Sequence, residues 1–297
     1  VHGDADRFLR YSADEHPVAL QVGGADPDWM ARAAASGSAY GYDEININVG
    51  CPSDRVQSGR FGACLMASPG LVARCFAAMQ KESDAPVTVK SRIGINDQDS
   101  YEFLRNFVDP LAEAGCRKFV VHARIAILEG LSPKQNRTVP PLDYERVYRL
   151  KEDFPELEIV INGGFTSIES INAALQRVDG VMIGRQAYHQ PYFLAELEAH
   201  RNAGWRPPTR RAVVEKMLPY IDKCLGEGIP LNSISRHMLG LYAGQPGARA
   251  WRRYISEHAH LEGAGSEVLV EALNAMPATV GTATMHGPDT NRKATLP

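Results

Sequence analysis

Short β-branched runs alternate with amphipathic stretches over the first two-thirds of the chain. The runs cover 18–22, 44–49, 87–91, 118–122, 158–161 and 180–183, each bounded by Gly, Pro, Asn or Asp. Their length and bounding residues predict strands, and the 3.6-residue pattern between most of them predicts helices. Ser68 and Pro69 open one such helix, with Leu71, Val72, Cys75, Phe76 and Met79 on its apolar face. Thr166 and Glu169 form a T-x-x-E capping box ahead of Ile171, Ala174, Leu175 and Val178. A helix over 5–15 feeds the first strand. Buried, continuously apolar strands in this alternation predict a parallel sheet, open or closed into a barrel. Six strands are evident, against the eight of a complete TIM (β/α)8-type barrel.

From about residue 208 the strands stop. Val214, Met217, Leu218, Ile221 and Leu225 line one helix face, and Ile234, Met238 and Leu241 fit a second helix. Pro246 can start a third, and Ser266 caps a fourth that carries Val268, Leu269, Ala272 and Leu273. These predict a C-terminal α-helical bundle joined through Trp205-Arg-Pro-Pro-Thr. The domains are then 1–205 for the barrel, 206–276 for the bundle and 277–297 for an aperiodic, disordered tail.

Composition narrows the classes. Of 297 residues 44% are hydrophobic and 23% charged, an ordinary globular balance that excludes wholesale disorder. No apolar run reaches the ~20 residues of a membrane helix, and Val-His-Gly-Asp is no signal peptide. Five cysteines without CxxC spacing argue against a disulfide scaffold and against a zinc site, and for the cytoplasm. The net charge of −3 hides an asymmetry: residues 201–260 hold ten Lys/Arg and four Asp/Glu, 10 − 4 = +6, which leaves −9 for the rest. A polyanion would therefore meet the C-terminal part. There Arg249, Arg252, Arg253 and Ser256 share one helix face by i, i+3, i+4, i+7 spacing, with Trp251, Tyr254, Ile255 and His258 opposite. Such a stripe is either a solvated face or a set of phosphate contacts, and the charge excess favours phosphate.

Candidate chemistry sits at the strand ends, where barrel enzymes place their sites. The ends carry Gln21, Asn46 to Ser53, Lys90-Ser-Arg92, His122-Ala-Arg124, Asn162-Gly163-Gly164 and Gly184-Arg185. Gly163, Gly164 and Gly184 either make tight turns or, with Arg185, bare backbone N–H groups to a phosphate-bearing cofactor. Lys90 faces an anion or an electron-rich ring, or else pairs with an acid inside the barrel. The Gln21 amide suits a heterocycle edge, and His122 is a ligand or a satisfied core residue. Cys51, in a loop between Gly50 and Pro52, is the sharpest candidate, a thiol able to act as nucleophile or proton donor. Cys64, Cys75 and Cys116 fall in helical segments as inert core residues. No His/Cys/carboxylate set has metal spacing.

These residues resemble a known family. Asn46-Ile-Asn-Val-Gly-Cys-Pro-Ser, Val89-Lys-Ser-Arg, Val121-His-Ala-Arg, Ile161-Asn-Gly-Gly and Ile183-Gly-Arg occur in the order found in the tRNA-dihydrouridine synthases. Gly130-Leu-Ser-Pro-Lys-Gln-Asn-Arg and Gly244-Gln-Pro-Gly-Ala-Arg-Ala-Trp-Arg-Arg-Tyr look like its A subfamily, and the likeness runs from about Gly3 to Met276. The resemblance implies an FMN-dependent barrel followed by a helical tRNA-binding domain. In the family NADPH reduces FMN, flavin N5 delivers hydride to C6 of a D-loop uridine, and a cysteine protonates C5. For the A subfamily the uridines are those at positions 20 and 20a. Carried onto this chain, the resemblance implies Cys51 as the acid. It implies Gln21, Lys90, His122, Asn162, Gly163, Gly164, Gly184 and Arg185 as flavin contacts. Asn48 would hold the target base, and Lys134, Arg137, Arg249 and Arg252 would contact tRNA. A cytoplasmic monomer without metal or membrane partner is expected. The family's first strand, an Ala-Pro-Met type segment, has no counterpart here, so about 50 residues, two βα units, would precede Val1. Two other readings stay open: a flavin-dependent reductase of free pyrimidines, and a flavin-free tRNA-binding remnant.

Overall fold

The computed structural model describes residues 5–53 and 59–277. All six expected strands form: β1 (Ala19–Val22), β2 (Glu44–Val49), β3 (Val87–Arg92), β4 (Lys118–His122), β5 (Glu158–Asn162) and β6 (Gly180–Met182). They pair in parallel in the order β1-β2-β3-β4-β5-β6. Sequential order without a reversal is the winding of a (β/α)8-type barrel, whereas a doubly wound sheet reverses at a switch point. Between the strands run α2 (Pro27–Ala39), α3 (Pro69–Lys81), α4 (Tyr101–Glu113), α5 (Tyr144–Asp153) and α6 (Ile168–Ala174), after a short opening helix α1 (Asp6–Leu9).

The strands are not continuously apolar. They alternate. Ile45, Ile47, Val49, Val87, Val89, Phe119, Val121, Ile159 and Ile161 form the helix-facing side and are at most 3% exposed. The buried Val72, Phe76 and Met79 of α3 and Leu104, Phe107 and Leu111 of α4 complete this layer. Each such side chain contributes roughly 1.5–3 kcal/mol by leaving water. The intervening positions, Gln21, Glu44, Asn46, Asn48, Thr88, Lys90, Arg92, Lys118, His122, Glu158 and Asn162, occupy the inner face. Register sets Gln21 beside Asn46, Asn48 beside Lys90, Arg92 beside His122, and His122 beside Asn162. Polar character does not mean exposure on this face: Asn46 and Thr88 are buried as deeply as their apolar neighbours, at 4% and 1% exposed.

Local expectations change at four places. The run 5–15 is α1 followed by a 3-10 turn, Ala13–Glu15, because Ser12 and Glu15 make a capping box in its middle. The cap of α6 is Ser167, whose hydroxyl accepts from the Ser170 N–H, so Thr166 lies outside the helix. Cys116 follows α4 in a loop rather than in a helix, and is fully buried all the same. In the bundle, the helix expected around 234–241 stops at Ser235. A Cβ at Gly240 would fall 2.1 Å from the His189 carbonyl oxygen, so the chain lies against another segment where a helix would have continued.

The chain divides into two compact units, Val1–Ile183 and Gly184–Pro297, ahead of the expected boundary at 205. The C-terminal unit begins with α7 (Arg185–His189) and α8 (Tyr192–Arg201). Tyr192 of α8 packs on that unit's core, its hydroxyl donates to the Pro208 carbonyl at 2.7 Å, and the Arg210 guanidinium lies 3.7 Å from its ring centroid. Then follow α9 (Arg210–Gly226), α10 (Leu231–Ser235), α11 (Ala248–His258) and α12 (Glu267–Asn274) around Val214, Ile221, Trp251, Ile255, Leu269 and Leu273. The tail expected beyond Pro277 lies outside the described residues. Among the described residues no helix is long and apolar enough to cross a membrane.

Candidate active site

β2 ends in a turn built by one amide. Asn48 Oδ1 accepts from the backbone N–H of Gly50 at 3.1 Å and of Cys51 at 3.0 Å. Short side chains that bond their own downstream backbone fix such turns without help from the sheet. The other side of the loop is held by Ala63, whose N–H donates to the Cys51 carbonyl at 2.9 Å. A Cβ at Gly50 would lie 3.4 Å from the Ser91 carbonyl carbon, so the loop hugs β3 closely. Cys51 is half-buried there, and its Sγ lies 3.4 Å from Ser53 Oγ.

β3 supplies two cations beside that thiol. Arg92 is 3% exposed and, among the described residues, donates only to backbone carbonyls: Gly50 at 3.1 Å, Ile125 at 3.1 Å and Asn136 at 3.0 Å. It ties the Cys51 loop to the loop after β4. Burial brings its guanidinium down to about 10, and a Cys51 thiolate would oppose that fall. Lys90 is half-buried, and among the described residues it has no hydrogen-bond or ion-pair partner. Desolvation and then the Arg92 charge lower its ammonium to about 8, while the Cys51 thiolate pulls the other way. The ion pair offered as one reading of Lys90 does not form among the described residues, which leaves the reading in which it faces an anion or an electron-rich ring.

β4 and β5 close the other side. His122, 7% exposed, lies against Gly163: a Cβ there would sit 2.9 Å from His122 Cδ2. Gly163 and Gly164 have φ of +127° and +75°, which an L side chain rarely adopts. Their N–H groups make no hydrogen bond among the described residues. The Tyr144 hydroxyl donates to the Gly163 carbonyl at 2.6 Å, which turns that peptide plane. Asn162 Nδ2 donates to the Met182 carbonyl at 2.8 Å and braces β5 on β6. Gln21 donates to Asn46 Oδ1 and accepts from Asn48 Nδ2, each at 2.8 Å.

In the loop after β4, Asn136 is fully buried and bonds the Ile127 N–H and carbonyl, both at 2.8 Å, and the Leu131 carbonyl at 3.2 Å. That anchor leaves Lys134 and Arg137 on the surface on either side of it. In the C-terminal unit, α11 buries Trp251 and Ile255 and exposes Arg249, Arg252, Arg253 and Ser256, as the spacing predicts. Among the described residues none of these three arginines forms an ion pair. Gly184 and Arg185 belong to this unit too: Gly184 is the N-cap of α7 and Arg185 its first residue.

A family model described as dihydrouridine synthase (Dus) matches residues 1–277. The chain belongs to the dihydrouridine synthase family. A tRNA-dihydrouridine(20/20a) synthase of Shewanella oneidensis is 57% identical over 270 residues, 91% of this chain and 80% of that one. One from Vibrio parahaemolyticus is 57% identical over 279 residues, 93% of this chain and 85% of that one. Among solved structures, a 2-naphthoyl-CoA reductase in complex with 2-naphthoyl-CoA is 14% identical over 60% of this chain and 28% of its own, with a TM-score of 0.45.

The dihydrouridine synthase fold thus gathers Gln21, Asn48, Cys51, Lys90, His122, Asn162, Gly163 and Gly164 at the strand ends of one unit. It sets Arg249 and Arg252 on the other unit. Three contributors have no role assigned from the sequence: Arg92 and Asn136, although both stand within the quoted motifs, and Tyr144. Arg92 could have been found, since it continues the period-two series of Thr88 and Lys90. Asn136 acts on backbone groups within its own loop, Ile127 and Leu131, and Tyr144 on the Gly163 carbonyl beyond α5 and β5, and no residue pattern marks either. Desolvation pushes the Cys64 and Cys75 thiols up and brings Cys116 to about 12.

Proposed function

We propose that this synthase reduces the C5=C6 bond of D-loop uridines at positions 20 and 20a of tRNA to 5,6-dihydrouridine, with FMN as cofactor and NADPH as reductant. We place its action in the cytoplasm, as a monomer. The observation that carries the reading is the Cys51 thiol, held by Asn48 and Arg92 at the strand ends with the unpaired amine of Lys90 beside it.

The residues present fit FMN. Lys90 offers a half-buried donor without an acceptor among the described residues, Gln21 keeps one N–H and one lone pair after its two hydrogen bonds, and His122 and Asn162 stand beside each other in register on β4 and β5. Gly163 and Gly164 offer free N–H groups in a conformation that side chains would block, suited to an anion. Gly184 and Arg185 enter on the sequence motif alone. Bound FMN supplies a hydride, taken from NADPH, to C6 of the uracil ring.

Cys51 completes the addition. Its S–H bond breaks as the proton moves to C5, leaving a thiolate in the field of Lys90 and Arg92. A proton from solvent restores the thiol. Asn48 has spent both acceptor positions on Gly50 and Cys51 and one N–H on Gln21, which leaves one N–H for a uracil carbonyl. The base must leave its stack to reach this depth. Lys134, Arg137, Arg249 and Arg252 neutralise the tRNA backbone.

The test is incubation of the FMN-reconstituted chain with NADPH and an unmodified tRNA transcript, followed by mass spectrometry of the nucleosides and of fragments spanning the D loop. Dihydrouridine at 20 and 20a supports the reading. Reduction of free uracil or uridine but not of the transcript overturns it in favour of a pyrimidine reductase. Salt-sensitive tRNA binding by a chain that takes up no flavin overturns the cofactor assignment.

A further inference from the structure

The inner face of the sheet carries a hydrogen-bond chain that begins far below the site and ends on the Cys51 loop. At the N-terminal ends of the strands Glu44 accepts from Lys118 Nζ at 2.9 Å, and Lys118 also pairs with Glu158 at 3.3 Å. The other Glu44 oxygen accepts from the Thr88 hydroxyl at 2.6 Å. Thr88 Oγ1 accepts from Asn46 Nδ2 at 2.7 Å, and Asn46 Oδ1 accepts from Gln21 Nε2 at 2.8 Å. Gln21 Oε1 then accepts from Asn48 Nδ2 at 2.8 Å, and Asn48 Oδ1 accepts from the Gly50 and Cys51 N–H groups. From Glu44 to Asn48 this spans about 13 Å of strand.

Every link points the same way, and elementary bonding rules require it. A carboxylate only accepts, so Thr88 must donate its single proton to Glu44 and can only accept from above. Asn46 must then turn its NH2 to Thr88 and its oxygen to Gln21. Gln21 in turn shows its NH2 to Asn46 and its oxygen to Asn48. The far end demands the same orientation, because two backbone N–H groups need the Asn48 oxygen. Two anchors, an acceptor-only group below and a donor-only pair above, thus agree on one direction. The lower members, Asn46 and Thr88, are buried, where an unsatisfied group is costly, while Gln21 at the upper end is exposed.

We propose that Glu44 and Thr88 are positioning residues for the Cys51 acid: the carboxylate sets the orientation of four side chains and thereby the shape of the loop that presents the thiol. The chain also selects which edge Gln21 turns toward the site. The catalytic consequence rests on the function proposed above, but the geometric one does not.

Thr88→Val removes the relay at nearly constant volume and leaves the Lys118–Glu44 pair alone. Iodoacetamide alkylation of Cys51 in the flavin-free full chain, resolved at the Cys51 peptide by mass spectrometry, reads the loop directly. Expected is a severalfold faster alkylation, a kcat for dihydrouridine formation lower by about ten- to a hundredfold, and an unchanged KM for tRNA. Thr88→Ser restores both values. Glu44→Gln, whose amide can donate to Thr88 and reverse the chain, gives the same pattern and serves if Thr88→Val does not fold. A folded variant of either kind with the parent's Cys51 alkylation rate overturns the inference. If the parent makes no dihydrouridine the proposed reaction fails, while the alkylation comparison still decides the role of Glu44 and Thr88.

Discussion

Arg92 Nε donates to the carbonyl of Gly50 at 3.1 Å, one residue ahead of Cys51. The same guanidinium holds the Ile125 and Asn136 carbonyls, so one buried cation joins the thiol loop to the loop that displays Lys134 and Arg137. Arg92→Met leaves three carbonyls without this donor and is expected to cost about 2–4 kcal/mol of stability. Urea unfolding measures it. A variant as stable as the parent would mean that the loops hold themselves.

Lys90 makes the folded state sensitive to alkaline pH. Its amine is brought from 10.5 to about 8, chiefly by desolvation. Between those values the unfolded chain binds a proton that the folded chain does not, so this residue's penalty is full below pH 8 and is relieved as pH rises toward 10.5. Lys90→Met should be more stable than the parent at pH 7, lack this rise, and bind FMN more weakly. Unfolding curves across that range, with a flavin titration beside them, test all three.

Two glycines of the same motif set should behave differently. Gly163→Ala places a Cβ 2.9 Å from the His122 ring at a φ of +127°, and is expected to cost about 1–3 kcal/mol and to weaken FMN binding. At Gly184 a Cβ meets nothing within 4 Å and φ is −110°, so Gly184→Ala should change stability by no more than about 0.5 kcal/mol. Thermal unfolding of the pair separates steric need from mere motif membership.

The exposed arginines of α11 predict an electrolyte effect. Replacing Arg249 and Arg252 by Ala should weaken tRNA binding uniformly across sequences and lower the salt slope by about one for each phosphate no longer neutralised. Far-UV circular dichroism should stay unchanged, because the buried face of Trp251 and Ile255 is untouched. Binding isotherms at several salt concentrations give the slope. An unaltered slope would return the stripe to a solvated face.

The strands are legible in the sequence because their helix-facing residues are β-branched or aromatic and their ends are marked by Gly, Asn and Asp. What the pattern conceals is the second face. Asn46, Thr88 and Lys90 sit between apolar residues in runs that read as core, and only pairing with the neighbouring strands shows that they line up. The site residues at the strand ends are legible for the same reason: strand termini are local, and so are Cys51, Lys90, His122 and Gly163. Arg92 and Tyr144 act on carbonyls contributed by other segments, which is a long-range property, whereas Asn136 ties Ile127 and Leu131 of its own loop. The proline-rich stretch at 205 has the composition of a domain boundary, whereas Tyr192 carries α8 onto the bundle's core. The arginine stripe of α11 is plain from spacing alone, since a helix that buries Trp251 has no choice about where residues 249, 252 and 253 point.

The central claim is that Cys51 gives the proton that completes the reduction. Single-turnover reaction of the FMN-loaded, NADPH-reduced Cys51→Ala variant with a tRNA transcript tests it most directly, with flavin absorbance and nucleoside mass spectrometry read together. The expected result is normal flavin reduction by NADPH with dihydrouridine formation abolished. Dihydrouridine appearing at the parent's rate would contradict the assignment.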